Sequence, residues 1–382
     1  MRVLLVIDSL SWGGSQRQMA NLAVGLQQRG HDVHLFRYFL AYGHYRDLVA
    51  RAGVTLLEFE KRRKFDPGVM QAIARHARRE RYDVAVAFLA GPSAFAVLAS
   101  RLAGGPPVIV SERGSFRPGR LPVYVRMQRL THRLAAHVTT NSHHHAERMR
   151  HEFPWLAGRI STIWNGIDTE SFRPEPAAPR AAGEPLRLLG VGTVVPIKDI
   201  ETLARGVVAL ARRGGPAVQV EWAGKMFDSA QTQGVVARVA EELGAAGLAD
   251  RWRWLGLQQD MAPLYGRYDA LVHPSAREGL PNAVCEALSC GRPVVASRAA
   301  DHERLLGDRE RGLLFETGDA ESLADALSEL AALGAAKRAQ LAANARAFAE
   351  TSLSLDAYLD QYETLLARVA ESRARPLKAP PG

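Results

Sequence analysis

The chain has 382 residues, 47% hydrophobic and 7% aromatic, which is enough for two globular domains with separate cores. Its net charge is +9, and residues 1–180 carry 26 Lys and Arg against 14 Asp and Glu, so the positive excess belongs to the first half. The longest uncharged stretch, residues 84–100, is too short for a membrane-spanning helix. Asp8 interrupts the apolar N-terminus, and this charge argues against a signal peptide and for a cytoplasmic protein.

Short apolar runs alternate with helical patterns along the chain, as expected for βα units built around parallel sheets. The predicted strands of the first half are residues 3–7, 31–36, 54–59, 84–88, 108–111, 137–140 and 161–164. Those of the second half are residues 186–191, 218–222, 252–255, 270–273, 293–296 and 312–315, followed by helical patterns at 321–333, 336–350 and 355–372.

Residues 173–185 are rich in Pro, Ala and Gly without periodicity, which is typical of a linker. They separate a first domain, residues 1–175, from a second domain, residues 185–350. The sequence therefore predicts an α/β protein with two similar parallel-sheet domains.

A Gly13-Gly14 pair follows the first strand and precedes a helix that begins near Gln16. A glycine loop in this place lets backbone N–H groups approach a phosphate or a sugar. The same pattern also occurs where glycine only turns the chain, so this loop alone does not define a site.

The second domain begins in a similar way, because its first strand leads through Gly192 and Thr193 to Lys198, just before a helix at residues 200–212. Ligands of open α/β sheets bind at the carboxyl ends of the strands, where a lysine can meet a diphosphate. An isolated lysine is more often a solvated surface residue, but the placement of Lys198 opposite Glu278, on a neighbouring βα loop of the same domain, favours a phosphate ligand.

Two glutamates, Glu278 and Glu286, lie eight positions apart after the strand at residues 270–273. Pro281 is placed to begin a helix, so Glu278 precedes the positive end of that helix and Glu286 lies more than one turn inside it. One acid can then bind the body of a ligand and the other its far end.

Several segments in order resemble glycosyltransferase family 4, the retaining enzymes of the GT-B fold. The resemblance rests on VIDSLSWGGSQRQMANLAVGL, NGIDTESF, GVGTVVPIKDIETLARGV, RGLLFETGD and EGLPNAVCE, the last of which matches the family's E-x7-E motif between V-x-P-S and G-x-P-V-V-A-S strands. It covers nearly the whole chain and implies two Rossmann-like βαβ domains that face each other across a cleft. The first would bind the acceptor, with a C-terminal helix at about 355–373 packed back on it, and the second would bind the nucleotide-sugar donor.

The resemblance also implies roles for single residues. Glu278 would bind hydroxyls of the donor sugar, Glu286 would bind the ribose, and Lys198 would balance the diphosphate charge. The remaining donor contacts implied by the family are Gly13, Gly14, Gly279, Leu280, Pro281 and Asn282.

Two positions depart from the family pattern. Thr193 stands where many members carry an arginine, so part of the phosphate stabilisation is unassigned. Glu112-Arg113 stands where many members carry a histidine that contacts the donor sugar, and these two residues are the candidates to replace it.

The resemblance implies retaining transfer from a UDP- or GDP-sugar, without another cofactor. No Asp-x-Asp sequence occurs in the chain, so we expect cationic side chains and helix N-termini, rather than a metal, to stabilise the diphosphate. A metal role for His143–His145 is not favoured, because adjacent helical residues point in different directions. Cys285 and Cys290 are expected to be buried free thiols.

The segment from Leu121 to Leu134 places Arg126, Arg129 and Arg133 on one helical face. Met127, Leu130 and Leu134 occupy another face. The pattern fits an ordinary surface helix and an interfacial helix on anionic lipid equally well. The basic first half favours a glycan or lipid-linked acceptor at the inner face of the cell membrane, as in the synthesis of bacterial polysaccharide, lipopolysaccharide or glycolipid.

Two other functions are consistent with parts of the sequence. A nucleotide-sugar epimerase can share the two-domain architecture, but the loop that contains Glu278 argues against it. A nucleic-acid-binding protein is consistent with the basic composition, but few aromatic residues interleave the basic clusters. A retaining glycosyltransferase is therefore the leading hypothesis.

Overall fold

The computed structural model describes residues 1–63, 66–114, 123–175 and 183–374. The chain divides into two compact units. Unit 1 consists of Met1–Gly166 and the chain from Leu355 onward, and unit 2 consists of Ile167–Ser354. Most of the predicted linker, namely residues 176–182, lies outside the described residues, as do Leu121 and Pro122 at the start of the predicted helix from Leu121 to Leu134.

Within the described ranges, unit 1 forms a seven-stranded parallel sheet with the order β3-β2-β1-β4-β5-β6-β7. The strands are apolar and mostly buried on both faces, as expected for a parallel sheet that is covered by helices. They are β1 (Arg2–Val6), β2 (Asp32–Arg37), β3 (Thr55–Glu58), β4 (Val84–Phe88), β5 (Val108–Glu112), β6 (His137–Thr140) and β7 (Ile160–Thr162).

Helices connect these strands and cover both faces of the sheet. Asp66 and Ser142 cap two of them, because each side chain accepts a backbone N–H in the first turn of its helix. The helices are α1 (Gly14–Gln28), α2 (Arg46–Arg51), α3 (Pro67–Glu80), α4 (Ala90–Ala103), α5 (Val123–Leu130) and α6 (His143–Glu152), with 3-10 turns at Thr131–Leu134 and Pro154–Arg159.

Unit 2 repeats this architecture around a sheet whose described strands have the order β10-β9-β8-β11-β12-β13. The strands are β8 (Leu186–Val191), β9 (Val218–Ala223), β10 (Trp252–Gly256), β11 (Ala270–His273), β12 (Val294–Ser297) and β13 (Gly312–Phe315). The helices are α7 (Ile200–Arg212), α8 (Ala230–Ala245), α9 (Ala262–Gly266), α10 (Asn282–Ser289), α11 (His302–Leu306), α12 (Ala320–Ala332) and α13 (Ala335–Phe348), with a π-helix at Ala349–Leu353.

The last helix, α14 (Leu355–Ala374), returns to unit 1 and packs against α1. Gly25 allows the close approach of these two helices, since a Cβ at this position would lie 2.4 Å from Leu359 Cδ1. Tyr358, Tyr362 and Leu366 are buried in the core that also contains the side chains of β1 and β4. The first unit therefore depends on residues from both ends of the chain.

The predicted α/β class with two Rossmann-like parallel sheets is confirmed. Each predicted strand coincides with an observed strand, and no end differs by more than two residues. The differences arise because hydrogen bonding to a neighbour, not apolarity, ends a strand. The helix predicted from Leu121 to Leu134 differs more, because its α-helical part ends at Leu130 and the chain continues as a 3-10 turn. Among the described residues, no helix has the length and apolarity needed to cross a bilayer.

Candidate active site

Two loops at the carboxyl edge of the unit 2 sheet are in direct contact. β8 and β11 are parallel neighbours, so the loops that follow them emerge at the same edge. The backbone N–H of Ala276 donates to the carbonyl of Ile197 at 3.0 Å and ties the two loops together. Lys198 and Glu278, which are 80 residues apart in sequence, are consequently neighbours.

Lys198 Nζ donates to Glu278 Oε1 at 2.5 Å. Only 18% of the lysine side chain and 16% of the glutamate side chain are exposed, so this ion pair is screened less than a surface pair. Burial alone raises the pKa of Glu278, but Lys198 and His273 outweigh burial and hold the pKa well below its usual range. Glu278 is therefore an anion with a paired cation.

The backbone around Lys198 is adapted to this position. A Cβ on Gly192 would lie 2.9 Å from Lys198 Cε, so glycine provides the space for the lysine side chain. Asp199, the next residue, adopts the left-handed conformation with φ 49° and ψ 44°, which is uncommon for a residue with a side chain. Glycine and a strained turn thus aim Lys198 at Glu278. Thr193 is half-buried in the same loop.

Glu286 lies in the second turn of α10 and is 4% exposed. Its Oε2 accepts a hydrogen bond from the Tyr265 hydroxyl at 2.8 Å. Pro281 precedes the helix as its N-cap residue, and no side chain caps the first turn. The sequence placed Pro281 as the first residue of the helix; the chain is still extended there, and α10 begins at Asn282. Gly279 and Leu280 are buried, whereas Asn282 is half-buried at the helix N-terminus.

In unit 1, Gly13 and Gly14 lie at the N-terminus of α1, after the loop of residues 7–12 that follows β1. Gly13 is extended, with φ 179°, and its missing side chain makes room for Gln16, because a Cβ would lie 2.2 Å from Gln16 Oε1. Gln16 in turn donates to Asp8 Oδ1 at 3.2 Å. The loop is therefore held by side chains of its own segment.

Glu112 and Arg113, at the end of β5, point to opposite faces of the sheet, as neighbouring strand residues do. Glu112 is 5% exposed and lies 2.8 Å from His132 Nε2 and 3.6 Å from Arg129 Nη2. Burial alone raises the pKa of Glu112. The hydrogen bond from His132 and the charge of Arg129 outweigh burial and lower the pKa to about 2. Glu112 is thus an ionised, internally paired carboxylate.

Arg113 is 8% exposed and lies on the face of β5 that packs against α14. Its guanidinium donates to Asn165 Oδ1 at 2.8 Å and to the Tyr362 hydroxyl at 2.8 Å. Its Cζ lies 3.8 Å from the ring centroid of Phe88. The structure therefore gives Glu112 and Arg113 buried partners within unit 1, and neither presents an open side chain at the sheet edge.

The histidine triplet opens α6, where the helix directs its members to different environments. His145 is buried and burial lowers its pKa to about 4, whereas His144 is exposed. In the part of the chain that the structure describes, no group of three or more His, Cys, Asp or Glu side chains is arranged to hold a metal ion. Cys285 and Cys290 are buried free thiols, as the sequence predicted.

The basic helix α5 is oriented differently from the sequence-based expectation. Arg129 does not share an exposed face with Arg126 and Arg133, because it is 6% exposed and forms ion pairs with Glu112 and Glu152. Met127, Leu130 and Leu134, which are 63%, 46% and 42% exposed, face solvent together with Arg126 and Arg133. The buried Glu112 and the half-buried Glu152 thus hold one arginine inward, while the apolar side is exposed.

Sequence patterns missed two features of these edges. His273 and His302 are both fully buried in unit 2, where His273 contacts Glu278 and His302 packs against His273. The signal in the sequence was a polar residue at the end of an apolar strand. In unit 1, Trp12 is 58% exposed and stacks on His44 with ring centroids 3.8 Å apart. An aromatic residue beside a glycine pair could have indicated a ligand-contacting loop.

Comparison with known proteins agrees with this geometry. The sequence profile of Glycosyltransferase Family 4 matches residues 12–171, and the profile of Glycosyl transferases group 1 matches residues 185–332. The first match begins after β1 and ends after β7, and the second runs from the residue before β8 to the end of α12. The chain belongs to glycosyltransferase family 4 and has the GT-B fold that the sequence predicted.

Individual relatives are enzymes of the same kind. The lipopolysaccharide core biosynthesis glycosyltransferase LpsE of Rhizobium meliloti is 27% identical over 93% of this chain and 96% of its own length. D-inositol 3-phosphate glycosyltransferase of Saccharomonospora viridis is 33% identical, but the match covers 54% of this chain and only 51% of that enzyme. The crystal structure of HepE from Anabaena in complex with UDP superimposes with a TM-score of 0.79, at 20% identity, over 96% of this chain and all of that one.

Proposed function

We propose that this protein is a retaining glycosyltransferase that moves a sugar from a nucleotide-sugar to a glycan or lipid-linked glycan. The observation that carries the proposal is the buried pair of Lys198 and Glu278 at the carboxyl edges of β8 and β11, with Glu286 in the helix that follows. A cation, an anion and a helix N-terminus at one sheet edge suit a ligand with phosphates and hydroxyls.

Each group has a distinct role in this proposal. Glu286 accepts the ribose hydroxyls, Glu278 accepts hydroxyls of the donor sugar, and Lys198 binds the diphosphate. The backbone from Gly279 to Asn282 lines the sugar and phosphates, and Thr193 contributes a hydroxyl at the phosphates. The binding of UDP by HepE, a protein of the same fold, supports a UDP-sugar as the first donor to test, with a GDP-sugar as the second.

The chemistry depends on positioning rather than on an enzymic nucleophile. The bond between the anomeric carbon and the phosphate oxygen breaks, and its electron pair leaves with the nucleoside diphosphate. The acceptor oxygen bonds to the anomeric carbon on the same face, and its proton passes to the leaving phosphate oxygen. Lys198 stabilises the charge that develops on the diphosphate, and the absence of an Asp-x-Asp sequence supports a metal-independent reaction.

Unit 1 is proposed to receive the acceptor, with Gly13 and Gly14 in contact with the donor. The same unit carries the exposed apolar residues of α5, with Arg126 and Arg133 beside them. This combination suits contact with an anionic membrane surface, where a lipid-linked acceptor would be presented. The relationship to LpsE supports an acceptor in surface lipopolysaccharide or a related glycan.

A thermal-shift screen of UDP- and GDP-sugars, followed by product analysis, tests the proposal. A bound donor raises the melting temperature in proportion to the logarithm of its concentration over its dissociation constant. NMR of the product should show the same anomeric configuration as the donor. Transfer that is abolished by a chelator and restored by manganese would contradict metal independence, and conversion of the nucleotide-sugar without any acceptor would favour an epimerase.

A further inference from the structure

Glu278 uses one oxygen for both of its protein contacts. Oε1 lies 2.5 Å from Lys198 Nζ and 3.2 Å from His273 Nε2. No described residue forms a hydrogen bond with Oε2. The carboxylate is therefore held from one side, and its second oxygen is available to a ligand.

Lys198 and His273 differ in their freedom to move. Lys198 ends a flexible stem and 18% of its side chain is exposed, whereas the His273 side chain is 1% exposed at the end of β11. A lysine can turn from a carboxylate to a diphosphate, since its ammonium is a point charge with three donors. A buried imidazole on a strand cannot follow it.

The protonation of His273 follows from its surroundings. Burial lowers its pKa, so the ring is neutral and carries one proton. An ionised carboxylate only accepts hydrogen bonds, so this proton lies on Nε2, which faces Glu278. Nδ1 is buried and has no hydrogen-bond partner among the described residues. The single N–H of the ring is thus committed to Glu278.

A fully buried group of polar side chains supports the ring. Ser275 Oγ lies 3.2 Å from His273 Nε2, and Ser297 Oγ donates to the carbonyl of Ser275 at 2.6 Å. His302 donates from Nδ1 to the carbonyl of Ser297 at 2.7 Å and packs edge-on against His273, with ring centroids 5.3 Å apart. These contacts surround the ring of His273 with buried groups and hold it in place.

We propose that His273 is a positioning residue that holds Glu278 Oε1, so that Oε2 stays directed at the donor sugar after Lys198 has turned to the diphosphate. This inference rests on the proposed function and adds to it a division between a movable and a fixed partner. Without His273, the movement of Lys198 would release Glu278 at the moment when the sugar has to be held. A neutral imidazole suits this task because it donates a hydrogen bond to Glu278 without attracting the phosphates.

Three variants test the role in donor binding. His273→Leu removes the N–H at similar volume, His273→Gln restores an N–H at the position of Nε2, and His137→Leu is the control. His137 is also a buried strand histidine with a serine partner, Ser161, but it lies in the other unit. Calorimetric titration with UDP and UDP-glucose, and with GDP and GDP-mannose, separates the contribution of the nucleotide to the binding affinity from that of the sugar.

We expect His273→Leu to keep the affinity for the bare nucleotide within twofold of the wild-type value and to weaken the affinity for the nucleotide-sugar about tenfold. We expect His273→Gln to recover most of the lost affinity for the nucleotide-sugar. Equal weakening of nucleotide and nucleotide-sugar, or no rescue by His273→Gln, would show a merely structural role and overturn the inference. Lack of binding of either nucleotide-sugar to the wild-type protein would instead count against the proposed function.

A second measurement does not require a donor. Nitrogen-15 NMR of the ligand-free protein and of Lys198→Met should show His273 with a protonated Nε2 and a bare Nδ1 in both. A ring protonated on Nδ1, or one that changes its tautomer when Lys198 is removed, would show that His273 does not hold Glu278 independently.

Discussion

Single residues at the edge of the unit 2 sheet are linked by charge rather than by apolar packing. Lys198 and Glu278 each lose most of their hydration, and their mutual attraction offsets that cost only while both are present. In the proposed function, a diphosphate, which carries more negative charge than one carboxylate, competes for the same lysine. The ligand-free pair would then be the ground state that the sugar donor rearranges.

Removal of the Lys198 ammonium alone should show how much an unpaired, buried Glu278 carboxylate lowers the free energy of unfolding. We expect Lys198→Met to destabilise unit 2 by about 3 kcal/mol, and Lys198→Met with Glu278→Gln to recover most of that loss. Because the pKa of Glu278 is lowered in the folded state, the pair stabilises the fold above the unfolded-state pKa of 4.5 and loses this effect as the pH falls below it. Denaturant unfolding at several pH values measures this; a constant difference between wild type and Lys198→Met down to acid pH would contradict it.

Substitution of the two glutamates of the E-x7-E motif should affect the binding of the nucleotide and of the sugar differently. Glu286→Ala is expected to weaken nucleotide and nucleotide-sugar about equally, by roughly tenfold, through loss of hydrogen bonds to the ribose. Glu278→Ala should weaken mainly the contribution of the sugar. Titration of both variants with the bare nucleotide and with its sugar conjugate checks this division, and equal losses for both variants with the bare nucleotide would contradict it.

Among the elements, α5 shows how a buried carboxylate can reverse the orientation of a helix. The ionised side chain of Glu112 draws Arg129 inward, so the opposite, apolar side faces solvent. Neighbouring α4 adds two further exposed leucines, Leu98 and Leu102, which are 36% and 66% exposed. Exposed apolar residues beside arginines are typical of surfaces that bind an anionic bilayer.

Vesicle binding tests this surface. We expect Met127→Glu with Leu130→Glu to weaken binding to phosphatidylcholine vesicles that contain phosphatidylglycerol by at least tenfold, because two apolar contacts are lost. Leu48→Glu, at an equally exposed leucine on α2, is the matched control and should bind as the wild type does. The surface assignment is wrong if both variants bind equally well, or if pure phosphatidylcholine binds as tightly as the anionic mixture.

In the whole molecule, each unit has its own parallel sheet and its own core. The candidate nucleotide and phosphate contacts, Glu286 and Lys198, belong to unit 2, whereas the exposed apolar residues of α5 and most of the positive charge belong to unit 1. Donor recognition and acceptor or membrane recognition are thus carried by separate folding units in the proposal.

Hydrogen exchange with mass spectrometry can test this division. A bare nucleoside diphosphate should protect α10 and the loop from Gly192 to Asp199, since both flank the proposed site, and should protect the helices of unit 1 much less. Equal protection of α5 and α10 by the bare nucleotide would contradict the assignment of nucleotide binding to unit 2.

Much of this molecule was predictable because its signals are local. Uninterrupted apolar runs produced the strands, since parallel strands are buried on both faces, and the order of the loops placed Lys198 and Glu278 at one sheet edge. The side-chain environment of Arg129 was not predictable, because its partner Glu112 lies 17 positions earlier on a different element. His273 was missed for a similar reason, since it lies on β11 whereas its neighbour His302 lies on α11, 29 positions later.

The sequence by itself determined the two-sheet architecture, because periodicity is a property of neighbouring residues. Its motifs, the E-x7-E motif among them, determined the family and the candidate residues through their resemblance to glycosyltransferase family 4. Only the tertiary structure decided which side chains are free to meet a ligand. Glu112 and Arg113 became buried partners of other elements, and Glu278 acquired both His273 and Lys198 as hydrogen-bond partners. Such outcomes depend on charges and burial that arise only when distant segments pack together.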